Sequence, residues 1–400
     1  MTTREQKRLL LENMTAKLEL PESAYEKAKK RYDDIGEWFG RNESLCKDND
    51  PHIFPQGSFR LGTAIYPLDQ NEAYDLDLAC NLRKGISRSA DTQESLKKLV
   101  GYEIETYRTA RGIKAHKEEK HRCWRLEYQD GHNFHMDVVP CISEDTTRQK
   151  NIFESMKKSG EDESIAESVS RLSVAITDDR HAGYKNICDD WNISNPEGYA
   201  KWFESRMKQT QLFEAKAQVD SIPLFRRKTP LQRAIQLLKR HRDNMFKENM
   251  DVKPISIIIT TLAARAYKGE SEIESTLDSI LLQMGTFANS GSSVVLNPVN
   301  PEENFADRWT MVQYSHLKLR ENFKIWIIQA QNDFDLLDAT DDINFITEQA
   351  EQKFSINMDA GDLAKRLGLA QGTISIVSPK SHIISAPAQP HCKGKLQRKE

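Results

Sequence analysis

Alternation of apolar and polar residues over positions 74–79 constrains the fold of this 400-residue chain more than any other feature. A period of two residues predicts a β-strand with one buried face. Asp75 and Asp77 both fall on the other face, because side chains two positions apart in a strand point the same way. The chain therefore requires a sheet with one apolar face and paired carboxylates on the opposite face. The apolar positions are Tyr74, Leu76 and Leu78.

Residues 122–140 predict a β-hairpin that extends this sheet. Apolar residues alternate in both arms, and Asp130-Gly131 between them favours a two-residue turn. Asp137 lies on the polar face of the second arm, and Pro140 is expected to end the strand. If the strands share a sheet with their apolar faces on one side, Asp137 emerges beside the paired acids of the first strand.

The rest of the chain is predicted to be mainly helical. Residues 22–45 carry an apolar stripe at helical spacing, with Ser23 and Glu26 as a capping box. Thr229 caps a second helix, with Pro230 at its first position. Further expectations are an end to that helix near Phe246, helices from Pro254 to about Tyr267 and from about Met311 to Leu337, and a rigid loop at Asn297-Pro298 and Asn300-Pro301.

Gly57-Ser58 precedes the paired acids and is suited to hold phosphates. Glycine lets the backbone approach a phosphate closely, and the Ser58 hydroxyl adds a donor at the same point. Gln56, Arg60 and Thr63 flank this turn and can add contacts. A Gly-Ser dipeptide is common, and an Asp-x-Asp pair is more often a turn or a solvated edge. Their order along predicted strands favours a functional site.

The three acids form an oxygen ligand set of the kind that Mg²⁺ prefers. Two such ions about 3.5–4 Å apart can stabilise the attacking and leaving oxygens of an in-line displacement. Asp75 and Asp77 are predicted to bind both ions. Asp137 is predicted to hold the ion on the side of the attacking hydroxyl and to serve as general base. This set predicts nucleotidyl transfer with two Mg²⁺ ions, for which Mn²⁺ can substitute.

Composition argues against several other classes of protein. The sequence has no apolar run of about 18 residues, the length needed for a membrane-spanning helix. The first residues do not resemble a signal peptide. Six scattered cysteines without a C-x-x-C pair favour the cytoplasm. A net charge of -3 argues against a general nucleic-acid coat. Basic clusters at 111–125 and 376–400 are interpreted either as solvated surface or as a surface that meets phosphates.

Five strings between about residues 54 and 309 resemble one family as a set. They are QGSFRLGTAI, YDLDLAC, FHMDVVP, LQRAIQLLKRHRD and NPVNPEENFADRW. The chain resembles the bacterial cGAS/DncV-like nucleotidyltransferases, or CD-NTases, of CBASS antiphage systems, within the polymerase-beta-like superfamily. Its overall character is similar to the branch that produces cyclic trinucleotides.

The resemblance implies an α+β fold with two lobes, a mixed-sheet catalytic core and a helical C-terminal lobe, with nucleotides bound between them. The implied organisation is N-terminal helices that brace both lobes (1–50), the catalytic core (51–220), the helical lobe (221–375) and a flexible basic tail (376–400).

The resemblance also implies roles for residues outside the sheet. Lys239 matches the helical-lobe lysine that contacts the triphosphate, against the alternative of a solvated helix flank. Ser256 matches a phosphate-contacting serine, in the first turn of a helix where N–H groups favour anions. Asn304 and Asp307 are expected to lie near a base or to support their loop.

The implied activity is a cyclic oligonucleotide synthase that joins NTPs, ATP among them, and releases pyrophosphate. Its partners would be other proteins of a CBASS operon. No clustered His/Cys insertion of zinc-ligand spacing is found, so duplex-DNA sensing is not expected. The alternatives are a nucleotidyltransferase that acts on an RNA or protein acceptor, and a non-catalytic nucleotide-binding regulator. Base composition, ring size, linkage and activating signal stay open.

Overall fold

The computed structural model describes residues 4–69, 73–128, 134–208 and 228–368. The first half of the chain contains α1 (Arg4–Leu18), α2 (Glu22–Gly40), β1 (Pro51–Pro55), α3 (Gly57–Leu61), β2 (Tyr74–Leu82), α4 (Gln93–Ala110), β3 (Glu118–Glu119), β4 (Trp124–Tyr128), β5 (Phe134–Ser143), α5 (Thr146–Lys158), α6 (Glu163–Ser170), β6 (Val174–Ile176), β7 (Asn192–Ser194) and α7 (Pro196–Lys208).

The second half is mainly helical. It contains α8 (Pro230–Met245), α9 (Ser256–Ala266), α10 (Ile273–Asn289), β8 (Leu296–Asn297), β9 (Asn300–Asn304), α11 (Leu319–Asp338), α12 (Ile343–Phe354) and α13 (Ala360–Arg366). No helix in the described ranges has the length and apolar character needed to cross a membrane.

Within the described residues, seven strands form one mixed sheet in the order β1-β2-β5-β4-β3, and β6 pairs with β5 and β7. Strands β2 and β5 run parallel, whereas the other pairs are antiparallel. The parallel register sets Asp77 directly opposite Asp137. The predicted alternation in β2, β4 and β5 is confirmed, because the apolar residues at the alternating positions are buried in one core: Tyr74, Leu76, Leu78, Trp124, Leu126, Tyr128, Phe134, Met136 and Val138. Ala79 of β2 and Cys141 of β5 are buried in a separate, smaller cluster.

Two large hydrophobic cores stabilise the described chain. One lies between the apolar face of the sheet and helices α2 and α4. The other joins α1 to helices α8–α12. Each fully buried aliphatic or aromatic side chain in such a core contributes roughly 1.5–3 kcal/mol to folding. The arrangement leaves the polar face of β2 and β5 directed towards the helices of the second half.

Helix α8 connects the two regions through side chains that bind backbone carbonyls of residues 61–66. Gln232 Nε2 donates to Leu61 O at 2.9 Å, and Gln236 Nε2 donates to Ala64 O at 2.7 Å. The predicted cap of this helix is confirmed, since the Thr229 side chain accepts from Gln232 N and the Gln232 side chain accepts from Thr229 N. The chain after α3 is therefore fixed to α8.

Two predicted helix boundaries were wrong. Helix α2 begins at Glu22 after Pro21, without a side-chain cap, so Ser23 and Glu26 do not form a capping box; the helix ends at Gly40 instead of residue 45. The helix predicted from about Met311 begins at Leu319 instead. The residues before it form a 3₁₀ turn, and the left-handed conformation of Lys318 (φ 48°) separates that turn from the helix.

The prediction that Pro140 ends its strand was also wrong. Strand β5 continues through Pro140 to Ser143. Along β5, the antiparallel pairing with β4 stops at Val138 and the antiparallel pairing with β6 starts at Cys141. Neither of these two strands therefore pairs with Pro140 itself. The segment predicted as a rigid loop, with Asn297-Pro298 and Asn300-Pro301, lies in the β8–β9 hairpin, and β9 begins at Asn300. The Asp130-Gly131 turn, the predicted boundaries at 220 and 375 and the tail at 376–400 lie outside the described residues.

Candidate active site

Gly57 brings the turn after β1 against the acidic face of the sheet. Gln56 N donates to Asp77 O at 2.8 Å, which fixes the start of the turn beside β2. Gly57 has a φ of +66°, and a Cβ at this position would overlap Asp77 Oδ2 and lie 3.0 Å from Asp77 Cγ. Both the backbone conformation and the space therefore require glycine. Ser58 follows immediately and lines the adjoining cleft.

The three predicted acids emerge on one face of β2 and β5. Asp77 and Asp137 are opposite one another across the parallel strands, and Asp75 is opposite His135. Their accessibility differs, because the Asp75 side chain is 61% exposed and that of Asp137 only 16%. Asp75 is thus the outermost carboxylate of the set.

Burial, followed by the charges of Asp75 and Asp137, raises the pKa of Asp77 to about 7, against the opposing effect of Arg125 and Lys239. A carboxyl beside two other carboxylates is favoured in its neutral form unless a cation compensates the charge. The same site raises the pKa of the Cys123 thiol to about 12, chiefly through burial and then through Asp137. The electrostatic potential at this face of β2 and β5 is therefore negative.

Arg125 supplies part of the missing positive charge. Its Nε and Nη2 donate to the two oxygens of Asp137 at 2.7 and 2.8 Å, and Nη2 lies 3.9 Å from Asp75 Oδ1. The sequence prediction placed Arg125 only in a basic cluster and missed this contact. The signal was present in the alternation, because Arg125 lies between the apolar residues Trp124 and Leu126 and so falls on the polar face that carries Asp137.

The chemistry of these groups fits a divalent cation that prefers oxygen ligands. Asp75, Asp77 and Asp137 are carboxylates on adjacent strands, and such an ion would stabilise the charged form of Asp77, whose pKa is raised by burial and then by its two acidic neighbours. Across the described part of the chain, no three His, Cys, Asp or Glu side chains converge closely enough to share an ion. The guanidinium of Arg125 lies against two of the three acids instead.

A cleft of about 740 Å³ opens in front of this face. Gly57, Ser58 and Thr63 line it together with Asp75 and Asp77. The opposite wall comes from α8, α9 and neighbouring residues, including Lys239, Arg242, Asp243, Lys253 and Ser256. Asp137 is not among the lining residues.

Lys239 is buried at the base of the cleft. Its Nζ donates to Thr63 O at 3.1 Å and to Thr63 Oγ1 at 3.0 Å. Burial lowers the pKa of Lys239 to about 7, helped by Arg242 and opposed by the charges of Asp243 and Asp77. A lysine in this setting gains most from an anion, because an anion offsets the desolvation of its ammonium group.

Ser256 is exposed at the first position of α9, on the same wall. Its Oγ accepts a hydrogen bond from Arg242 Nη1 at 2.8 Å. Arg242 Nε and Nη2 also donate to Asp243 Oδ1 at 2.9 and 2.7 Å, and Lys253 Nζ reaches the same oxygen at 3.2 Å. Arg242 and Lys253 were missed, although Arg242 follows Lys239 by three residues and so shares its helix face.

Four predicted contacts do not reach the cleft. Asn304 Oδ1 accepts from Val295 N at 2.8 Å and from Ala306 N at 3.0 Å, so this side chain supports its own loop. The remaining three are Gln56, whose Nε2 is 3.5 Å from Leu78 O; Arg60, whose Nη1 pairs with Glu204 Oε1 at 2.5 Å; and Asp307, which is exposed and accepts from Arg308 N at 2.7 Å.

Comparison of the sequence with protein families identifies a match to part of the chain. A family described as "Cyclic GMP-AMP synthase DncV-like, nucleotidyltransferase domain" matches residues 51–140, which hold the Gly-Ser turn and all three acids. A c-di-GMP synthase of Roseivirga ehrenbergii is 31% identical over 309 residues, which cover 75% of this chain and 72% of that protein. The cyclic dinucleotide synthase CdnG of Bradyrhizobium diazoefficiens is 23% identical over 333 residues, 75% of this chain and 69% of that protein.

Solved structures share the two-lobed fold. The CD-NTase CdnG of Bradyrhizobium diazoefficiens, in complex with GTP, has a TM-score of 0.64 at 18% identity, with 90% of this chain and 97% of that chain covered. The dinucleotide cyclase DncV of Vibrio cholerae, in its apo form, has a TM-score of 0.54 at 14% identity, with 90% of this chain and 88% of that chain covered. The predicted fold class is therefore confirmed.

Proposed function

The chain belongs to the bacterial cGAS/DncV-like nucleotidyltransferases, the CD-NTases of CBASS systems, and we propose that it joins two nucleoside triphosphates into a cyclic dinucleotide. The relatives at 31% and 23% identity are named as synthases of cyclic dinucleotides. A dinucleotide product is therefore favoured over the trinucleotide that the motifs suggested.

One geometric observation carries the proposal. The register that sets Asp77 opposite Asp137 also directs Asp75 and Asp77 into a cleft whose other lining residues include Ser58 and Lys239. Acids for metal-assisted transfer thus face groups suited to hold a triphosphate. The cleft volume of about 740 Å³ lies within the usual range of small-molecule sites, about 300–1,000 Å³.

We assign distinct tasks to these residues. Ser58 and the turn at Gly57 would orient the triphosphate, and Lys239 would pair with its negative charge. Asp137 would accept the proton of the acceptor ribose hydroxyl. The hydroxyl oxygen then bonds to the α-phosphorus, the bond from that phosphorus to the bridging oxygen breaks, and pyrophosphate leaves. A second transfer within the linear product closes the ring.

Asp75, Asp77 and Asp137 would hold Mg²⁺, or Mn²⁺ in its place, and the bound ions would neutralise charge on the phosphates and lower the pKa of the attacking hydroxyl. For this site we propose two ions. The partial burial of Asp77 and Asp137 supports strong binding, because electrostatic interactions are less screened there than at the surface.

GTP is proposed as a substrate beside ATP. The Roseivirga relative is named for a product built from guanine nucleotides, and the CdnG structure contains GTP. An RNA or protein acceptor is less favoured, since neither named relative is described as acting on one. We further propose that synthesis takes place in the cytoplasm and that proteins of the same operon respond to the product.

The test is incubation of the purified protein with labelled ATP, GTP, CTP or UTP, singly and in pairs, with Mg²⁺ or Mn²⁺. Label that resists phosphatase and migrates as a small cyclic product supports the proposal, and mass spectrometry then identifies bases and ring size. Label that appears only on added RNA or protein would establish the alternative instead.

A further inference from the structure

Arg125 occupies an unusual position for a residue outside the predicted metal site. It projects from β4 directly opposite Asp137 and binds both oxygens of that carboxylate, at 2.7 and 2.8 Å. The same guanidinium lies 3.9 Å from Asp75. One side chain therefore spans two of the three acids.

This contact competes with a metal ion for the same atoms. A bidentate pair between arginine and a carboxylate is among the stronger interactions of proteins, and the guanidinium does not lose its proton at any ordinary pH. A divalent cation that binds an Asp137 oxygen would lie close to the positive charge of Arg125, which is hydrogen-bonded to the same carboxylate. The two cations would repel one another. The absence of Asp137 from the lining of the cleft agrees with this arrangement.

We infer that Arg125 is the protein's own counter-ion for this site, and that a divalent cation binds Asp137 only when the guanidinium releases that carboxylate. Arg125 is thus a positioning residue that sets metal affinity. While no ion is bound, its positive charge offsets part of the negative charge of the acids. Metal binding at Asp137 then replaces the guanidinium with a divalent cation. The inference rests on the proposed function in one respect, the use of these acids as metal ligands.

Mn²⁺ affinity of the nucleotide-free protein provides the test, read by the electron paramagnetic resonance signal of free Mn²⁺ and by calorimetry. Arg125→Gln keeps a donor for Asp137 but removes the charge, and it is expected to bind Mn²⁺ about tenfold more tightly than the wild type. Arg125→Lys keeps the charge without the two-pronged geometry and is expected to fall between them.

Arg122→Gln is the matched control. Arg122 makes an equally short pair, 2.7 Å from Nε to Asp178 Oδ2, but away from the three acids. Its loss should leave Mn²⁺ affinity within about twofold of the wild type. Equal or weaker binding by Arg125→Gln, with the wild type binding Mn²⁺ normally, would overturn the inference alone. No binding by either protein would overturn the metal assignment as well.

A measurement on the wild type avoids dependence on the folding of a variant. The Nε–H resonance of Arg125, identified by its loss in Arg125→Lys, should shift towards that of solvated arginines as Mg²⁺ is added without nucleotide. If the resonance keeps its position while Mg²⁺ saturates the protein, the guanidinium has not been displaced and the inference fails.

Discussion

Gly57 lies so close to Asp77 that any side chain at the glycine would occupy the space of the carboxylate. The two residues come from different elements, α3 and β2, and their contact sets the distance between the phosphate turn and the acids. This relationship turns a common dipeptide into a constraint on the candidate active site.

Gly57→Ala is therefore expected to lower the rate of product formation about a hundredfold, the scale of loss that follows a displacement near 1 Å in an active site. Gly112→Ala is the matched control, since Gly112 has a similar φ of +62° but no atom within 4 Å of the point where a Cβ would lie. Both variants share the backbone strain of roughly 1–3 kcal/mol. Equal loss of rate in the two would attribute the effect to strain rather than to Asp77.

Asp75→Asn combined with Asp77→Asn should reduce synthesis below detection while the protein keeps its fold. The amides remove the metal ligands, and they also remove repulsion between neighbouring carboxylates, so the metal-free melting temperature should not fall. Product formation and thermal melting are measured together. Asp335→Asn, on the exposed side of α11, should retain wild-type synthesis; turnover by the double variant would contradict the metal assignment.

The stability of the metal-free protein should respond to pH through Asp77. Its pKa is raised from 3.8 to about 7 on folding, so the native state binds more protons than the unfolded state between these values. The contribution is fully present below the unfolded pKa and is lost as pH rises to about 7. Asp77→Asn should flatten the fall in melting temperature between pH 5 and about 7. An unchanged slope would show that other groups dominate.

Lys239 is expected to act mainly on nucleotide affinity. Lys239→Met keeps the length and apolar stem but removes the ammonium group, and it should weaken NTP binding about tenfold to a hundredfold. Equilibrium binding of a non-hydrolysable NTP measures the effect. Lys98→Met, at an exposed pair with Glu94 on α4, is the control and should bind as the wild type does. Equal affinities for all three proteins would remove Lys239 from the nucleotide site.

Asn304 should matter for stability instead of binding. Its Oδ1 accepts from Val295 N and Ala306 N, so Asn304→Ala leaves two backbone donors without this partner. A loss of about 1–3 kcal/mol in the free energy of unfolding is expected, with nucleotide affinity unchanged. Chemical denaturation and NTP titration measure the two quantities. Weaker nucleotide binding without loss of stability would instead support the expectation that Asn304 contacts a base.

Local periodicity was sufficient for the acidic face. Alternation in two segments predicted that Asp75, Asp77 and Asp137 share one side of a sheet, and the register of β2 and β5 has this arrangement. The pattern succeeds because one face of each strand is buried, which fixes parity. The same alternation puts Arg125 on the polar face with Asp137, but a two-residue turn at Asp130-Gly131 would have paired Arg125 with Met136, so the direct pairing with Asp137 was not predictable from it.

Tertiary context decided what periodicity could not. Pro140 interrupts a strand only where a neighbour requires its N–H, and the change of partner from β4 to β6 at this point is invisible in the sequence. Lys318 separates the 3₁₀ turn before it from α11 because its backbone is left-handed, a conformation that a lysine in the sequence does not predict. Arg60 and Asn304 have polar side chains near motif residues, but Glu204 and local backbone groups bind them instead.

The contacts between α8 and the segment after α3 have an evolutionary consequence. Gln232, Gln236, Lys239 and Arg240 all donate to carbonyl oxygens of residues 61–66, which every amino acid possesses. Side chains of that segment, including Tyr66 in the cleft wall, can therefore be exchanged without loss of these bonds. Related proteins could diverge in the bases they accept at this wall while the segment stays anchored.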